Sequence, residues 1–383
     1  MKKIYLGLVM LLAAASTFAF DQDYVTLTTY SAYDGEEFSN EVNLTDMKAG
    51  DLAYVVCTLE NKSDSTYHAF EFEIALPEGF VLEPIYDEDE EEYFTSKALN
   101  ELSRSNHWTY KDTYNEAKNT FKVVLFTLNP DKYEFPATTG KYAGPELFYF
   151  SIKATDSSRN DFAPISATGI IFSKSIDTGE KDSEGKPILT TEDHFFPNIY
   201  NLYYKVSDYK YNTLCYNGSL DFTGSSLKAN VAKDGGDGYV DLTPVEIVPA
   251  GAPIVITGEP GSYMLNAKYG KVEADAAFEG NELKGTPDGS FKVEDNKIFA
   301  MAYKQGKGVG FYRCDNGVVI PRYKAYLESE ANADAFLFEE TTGISNVEAT
   351  ADNAEVYTIS GVKVEKAAQK GIYIVNGKKV VVK

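Results

Sequence analysis

A chain of 383 residues, 43% of them hydrophobic, is long enough for two or three packed domains. Its 58 acidic side chains against 36 basic ones leave a formal charge of −22, a surface that repels phosphate backbones and disfavours nucleic acid as a partner. Three cysteines do not make a disulfide framework, and an odd count leaves at least one thiol unpaired within the chain. The 28 tyrosines and 23 phenylalanines point to β structure, because flat rings pack well on pleated surfaces.

The chain opens with Lys2 and Lys3, an apolar run over 4–15, and Thr17-Phe18-Ala19, small enough at the positions a signal peptidase reads. This predicts cleavage near Ala19 or Phe20, export across the inner membrane, and an extracellular or outer-surface destination. The apolar run is shorter than the roughly twenty residues of a spanning helix, and no later segment supplies them, so no transmembrane span is predicted for the mature chain. The first cysteine after the run is Cys57, too distant to carry a lipid at the junction.

Strands are predicted at 24–30 and 42–44, followed by a turn at 48–51. Ala53, Val55, Cys57 and Leu59 share one face of the next strand, so Cys57 reads as a buried small hydrophobe. Phe70, Phe72, Ile74 and Leu76 alternate with Glu71 and Glu73, the register of a half-buried antiparallel strand. His68, at its entrance, reads as a polar rim residue. Ala49-Gly50-Asp51, the strand through 55–59 and Phe70-Glu71-Phe72-Glu73-Ile74, with later strands at 121–128 and 147–154, resemble the opening strands of cohesin-like modules. That resemblance implies a β-sandwich related to carbohydrate-binding domains and an extracellular setting.

Residues 86–118 form an insertion of a different kind. Asp87, Asp89 and Glu91 lie in a run of six carboxylates that is either a solvated loop or a weak calcium site, without the spacing of an EF-hand loop. A short helix is predicted at 97–102. Trp108, the single tryptophan, and Tyr110 are either packing residues or a platform for a sugar ring. After a strand at 165–173 and a polar hairpin loop at 177–187 comes an aromatic cluster that includes Tyr200, Tyr203 and Tyr204. It reads first as interdomain packing and second as glycan stacking.

A domain boundary is predicted near 206–211. Beyond it, short strands separated by Gly, Pro and Asp turns predict a second all-β domain, a sandwich or barrel. The stretches 248–253, 308–312 and 324–327 resemble a module that recurs before the sorting tail of Bacteroidetes surface proteins. Cys215 and Cys314 both fall here and are the candidates for a disulfide.

The last residues predict two hairpins. One turns at Ser360-Gly361; the other turns at Asn376-Gly377, the pair best suited to positive φ at both central positions of a type I′ turn. Val356-Tyr357, Ser360-Gly361, Val364, the run 370–375 and the lysine-rich close resemble a shortened type IX secretion sorting domain of secreted Bacteroidetes proteins. Gly371, Tyr373, Asn376, Gly377 and Lys379 carry that resemblance, which implies that export machinery is a partner.

No nucleophile elbow, H-E-x-x-H, Walker loop or C-x-x-C pair occurs, and His68, His107 and His194 are far apart in the chain. The expected division is a signal peptide at 1–20, a cohesin-like β-sandwich at 21–206 with its insertion at 86–118, a second all-β domain at 207–340, and a linker with a small C-terminal β-hairpin module at 341–383. The expected function is a non-catalytic secreted or cell-surface binding protein that captures polysaccharide or glycoprotein glycans or mediates adhesion, with no cofactor. Two alternatives stand beside it: a structural or protein-interaction subunit of a surface assembly, and a carbohydrate-active hydrolase or its accessory protein. The hydrolase needs only two carboxylates roughly 5 to 10 Å apart.

Overall fold

The computed structural model describes residues 22–87, 91–155, 161–236 and 238–338, and the backbone of four short strands between 356 and 382. The predicted signal peptide lies outside the described residues. The fold is all-β, with three short 3₁₀ turns as its only helical elements among the described residues.

Two sheets enclose the first core. The front sheet runs in the order Phe38–Glu41, Tyr24–Tyr33, Leu52–Glu60 and Glu146–Ala154, with Phe80–Glu83 and Ser96–Ala98 on the far side of the last. Its alternation is the predicted one. Ala53, Val55, Cys57 and Leu59 face inward, and Cys57 stands between Leu27 and Phe148 in the register. Opposite lies a longer sheet in the order Thr109–Asn115, Thr120–Phe126, Ala69–Ala75, Phe162–Lys181, Ile199–Val206, Gly261–Ala267, Leu220–Asp221 and Ile247–Val248. Phe70, Phe72, Ile74, Phe121, Val123 and Phe172 from this sheet fill the space against Phe148 and Phe150 of the front sheet.

The longer sheet does not stop at the edge of the first core. Ile199–Val206 pairs on one side with Phe162–Lys181 and on the other with Gly261–Ala267. Its two faces serve different cores: Ile199 and Tyr203 turn to the first, while Leu202, Tyr204 and Val206 turn to a second, with Phe162, Leu214, Leu220, Ile254 and Ile256. A strand buried on both faces needs apolar side chains at successive positions, which is why Leu202, Tyr203 and Tyr204 break strict alternation. This one sheet is therefore the middle layer between two cores.

After the turn 207–210, where Lys210 takes φ +64°, the chain passes into a third sheet. That sheet runs Tyr211–Cys215, Pro253–Thr257, Lys228–Gly236, Tyr239–Val245, Ala335–Phe338, Gly308–Arg313, Ile298–Lys304, Ala325–Glu328 and Leu283–Gly285, with one parallel pair, Tyr239–Val245 with Ala335–Phe338. It curls until its last strands lie over its first: the Cys215 amide donates to the Tyr323 carbonyl and the Glu282 amide to the Ala232 carbonyl. Phe299, Phe311, Leu327 and Phe336 fill the inside. Gly310 permits a close approach here, since a Cβ at that position would lie 2.4 Å from the Phe336 carbonyl oxygen.

Three local expectations change. Residues 42–44 do not form a strand; Phe38–Glu41 does, and Leu44–Asp46 makes a 3₁₀ turn capped by the Asn43 side chain, which accepts from the Thr45 amide. The helix expected at 97–102 is a strand, Ser96–Ala98, followed by a 3₁₀ turn, Asn100–Ser103. Within the insertion, Thr109–Asn115 is an edge strand. His68 is buried, not on the rim, with Nδ1 3.3 Å from the Ser175 hydroxyl.

At the C-terminus, both predicted hairpins are present as strands and join into one small sheet, in the order Lys363–Val364, Val356–Thr358, Gly371–Val375 and Lys378–Val382. Val375 pairs with Lys378, the register of a two-residue turn; Asn376 and Gly377 themselves lie outside the described residues.

Asp23 ties down the start of the described chain. Its carboxylate is buried and accepts hydrogen bonds from the Lys62 and Ser63 amides, the Ser63 hydroxyl and the Tyr67 hydroxyl. Burial alone would raise its pKa, but the hydrogen bonds from Ser63, Tyr67 and Lys62 outweigh that and hold it below the usual aspartate range. A depressed folded pKa contributes stability that is complete above the unfolded value of about 3.9 and is lost as pH falls through the folded value. Asp23→Ala leaves the Tyr67 hydroxyl and two amides without this acceptor, so a loss of about 1–3 kcal/mol is expected at neutral pH. Denaturant unfolding of wild type and variant at pH 7 and below pH 3 checks this: the gap between them should narrow in acid.

Candidate functional site

The aromatic residues singled out from the sequence are mostly interior. Trp108 is 5% exposed and meets Phe135 edge to face at 5.5 Å. Tyr203 is 5% exposed, with its hydroxyl 2.8 Å from the Thr29 hydroxyl, and Tyr204 is wholly buried in the second core. Tyr110 packs against the first core with its hydroxyl 2.6 Å from Ser96 Oγ, and Tyr200 is half-buried beside Tyr269. Stacking a sugar needs an open ring face, and Trp108, Tyr203 and Tyr204 do not present one. Their bulk fills the middle layer and the underside of the insertion.

Of the carboxylate run, only 87, 91 and 92 lie among the described residues. Asp87 pairs with the Lys97 ammonium, Glu91 sits in the turn between Ile85–Asp87 and Glu92–Phe94, and Asp89 lies outside the described residues. Among the described residues, no three His, Cys, Asp or Glu side chains gather as metal ligands. Cys215 and Cys314 are not joined: both are buried free thiols, with Cys215 Sγ 3.2 Å from the Gly251 carbonyl and Cys314 Sγ near the Tyr312 carbonyl. Burial pushes the Cys215 thiol up to about 12 and raises Cys314 as well, so neither is a ready nucleophile. Of the tail residues, Gly371, Tyr373 and Lys379 lie on strands of the small sheet.

Two surface features were not visible from sequence spacing. The first is a cleft of about 510 Å³ where the middle layer meets the turn 207–210, lined by Asp46, Asp161, Lys205, Asp208, Tyr209 and Ser262. Asp46 Oδ1 accepts from Lys205 Nζ at 2.9 Å and from Ser262 Oγ at 2.6 Å, binding the Leu44–Asp46 turn to two strands of the middle layer. Tyr209 is 48% exposed and stacks on Tyr303, 45% exposed, at 4.3 Å between centroids. Each ring covers one face of the other and stays about half exposed, and Tyr209 lines the cleft.

The second is an arm. Beyond Ser173, the strand Phe162–Lys181 has only Pro187–Phe195 as a partner, and the two run out together as a ribbon. Every residue from 177 to 193 is exposed, among them Ile188 and Leu189. Asp182 closes the tip by accepting from the Glu184 and Lys186 amides, with Gly185 at φ +82°. The polar loop expected at 177–187 is the outer part of this longer hairpin. Its serines, threonines and charges hid the strand signal, since neither face of the ribbon meets a core.

No protein-family model matches the chain, and no curated protein matches it in sequence. Among solved structures it is similar to domains D2 and D3 of the major pilin SpaD from Corynebacterium diphtheriae, at 14% identity over 64% of this chain and 74% of that one, with a TM-score of 0.23. It is similar to the full-length SpaD pilin at 12% identity, over 78% of this chain and 61% of that one, with a TM-score of 0.26. A type II cohesin dyad from the adaptor ScaA scaffoldin of Acetivibrio cellulolyticus matches at 9% identity over 75% and 96% of the two chains, also at 0.26. Superpositions this loose carry no argument about what this chain does.

Proposed function

We propose that the protein is an exported, non-catalytic subunit of a cell-surface assembly, and that it holds a protein partner through the arm 177–193. The exposed ribbon is the observation that carries this reading. A two-stranded ribbon with water on both faces is marginally stable by itself, and its outer edges offer unpaired backbone groups of the kind another strand can join. Lys174, Lys181, Lys186, Glu180 and Glu192 guard those edges against indiscriminate pairing while leaving Ile188 and Leu189 as apolar contacts. The resemblance of the N- and C-terminal sequences to export and sorting signals supports the location.

A second reading, glycan capture, is favoured by the stacked Tyr209 and Tyr303 beside the polar cleft. One experiment separates the two. Mature protein is used to retain partners from surface-protein extracts, alongside a variant whose residues 178–190 are replaced by a two-residue turn. The assembly reading expects a protein partner that soluble polysaccharide does not displace, and a loss of retention of about tenfold or more in the short-arm variant, equivalent to about 1.4 kcal/mol. Retention that survives arm shortening but is lost in Tyr209→Ala, or in free polysaccharide, would replace it with glycan capture.

A further inference from the structure

Three residues distant in sequence meet beneath the cleft. Asn212 lies on Tyr211–Cys215, Lys324 directly precedes Ala325–Glu328, and Asp161 directly precedes Phe162–Lys181. Asn212 is almost wholly buried and the Lys324 side chain largely so. Lys324 Nζ lies 2.9 Å from Asn212 Oδ1, and Asp161 Oδ2 touches both partners, 2.7 Å from Asn212 Nδ2 and 3.4 Å from Lys324 Nζ. The orientation of the amide is fixed by its neighbours. Its oxygen faces two donors, the Thr213 amide at 2.9 Å and the lysine, while its nitrogen faces two acceptors, Asp161 and the Lys205 carbonyl at 3.1 Å. Phe162, next to Asp161, packs edge to face with Tyr216 and with Tyr323, and Tyr323 takes the uncommon φ of +66° just before the lysine.

A lysine in such a place is an expensive way to hold two strands together, because its charge has left water for a single partly exposed carboxylate. The same arrangement brings together the groups a reaction needs: an amine in hydrogen-bond contact with an amide oxygen, a carboxylate touching both residues, and a backbone N–H on the same oxygen. We propose that Lys324 and Asn212 join in an isopeptide bond, with Asp161 as the proton carrier.

The step balances without an oxidant or a cofactor. Asp161 takes a proton from the Lys324 ammonium, and the freed Nζ lone pair attacks Asn212 Cγ. Charge that develops on Oδ1 is held by the Thr213 N–H. The Cγ–Nδ2 bond then breaks as protons reach Nδ2 through Asp161, which already touches it. Lysine ammonium and asparagine amide become a secondary amide and ammonium, and Asp161 ends as the carboxylate it was. Burial, which lowers the Lys324 pKa against the opposing pull of Asp161, favours the neutral amine that attack requires. The bond would span 112 positions of sequence and lock the first strand of the curled sheet to the start of Ala325–Glu328.

The test is the intact mass of the folded, full-length protein as purified, with its N-terminus determined. The expected mass is that of the sequence less one ammonia. A tryptic digest should contain a branched peptide joining residues 211–228 to 323–363, uncut after Lys324. Asp161→Ala and Lys324→Arg should both return to the full sequence mass and migrate more slowly in denaturing gels. Folded wild-type protein at its full sequence mass overturns the proposal, whatever the variants do. So does a deficit that persists in Lys324→Arg or maps to other residues.

Discussion

Phe148→Ala is expected to lower the free energy of unfolding by about 3–5 kcal/mol, the usual cost of deleting a fully buried ring. Phe148 sits in the middle of the first core, with the rings of Phe70, Phe72, Tyr110, Phe121 and Phe150 between 5.7 and 6.4 Å away. Those neighbours belong to two hydrogen-bonded sheets, so they cannot close over the space without breaking backbone pairing. The upper part of the range follows from that stiffness. The denaturant midpoint should fall with little change in slope, followed by the fluorescence of Trp108, which is buried in the same core. A loss below about 1 kcal/mol would mean that the core repacks, contrary to the layered description.

The second large effect concerns the middle layer. A chain that ends at residue 207 is expected to be insoluble or aggregated. It would expose Phe162, Leu202, Tyr204 and Val206, and leave the edge of Ile199–Val206 without Gly261–Ala267. An open, apolar strand edge is a template for intermolecular pairing. In the full chain the same pairing should make unfolding cooperative across both cores. Trp108 fluorescence, reporting the first core, and labelling of the buried thiols Cys215 and Cys314, mapped by mass spectrometry, should therefore share one midpoint. A soluble, monomeric fragment that unfolds at the full-length midpoint would contradict the shared layer.

How much of this was readable depends on how many faces each strand buries. Ala69–Ala75 buries one face, and Leu52–Glu60 buries one face throughout with Val56 also covered on the other; their period of two places Cys57, Phe70 and Phe72 inside. Ile199–Val206 buries both, and a run of adjacent rings cannot reveal which core each one joins. Thr109–Asn115 lies at an edge and carries only Tyr110 and Tyr114 against the core, too few to outweigh its charges. For Trp108 the sequence admits both packing and a sugar platform, and the buried ring, edge to face with Phe135, is packing. Asp161, Asn212 and Lys324 share no local motif. Only the curl of the third sheet brings position 324 to position 212, so no spacing rule would have found the cluster.

The arm is the part of the account that decides function. A photo-crosslinking residue placed at Leu189, on the arm, is compared on intact cells with one at Leu128, an equally apolar and more exposed position outside the ribbon. The expected result is a discrete protein adduct from position 189 and none from 128. No protein adduct from 189, or equal labelling from both positions, would contradict a partner held by the arm.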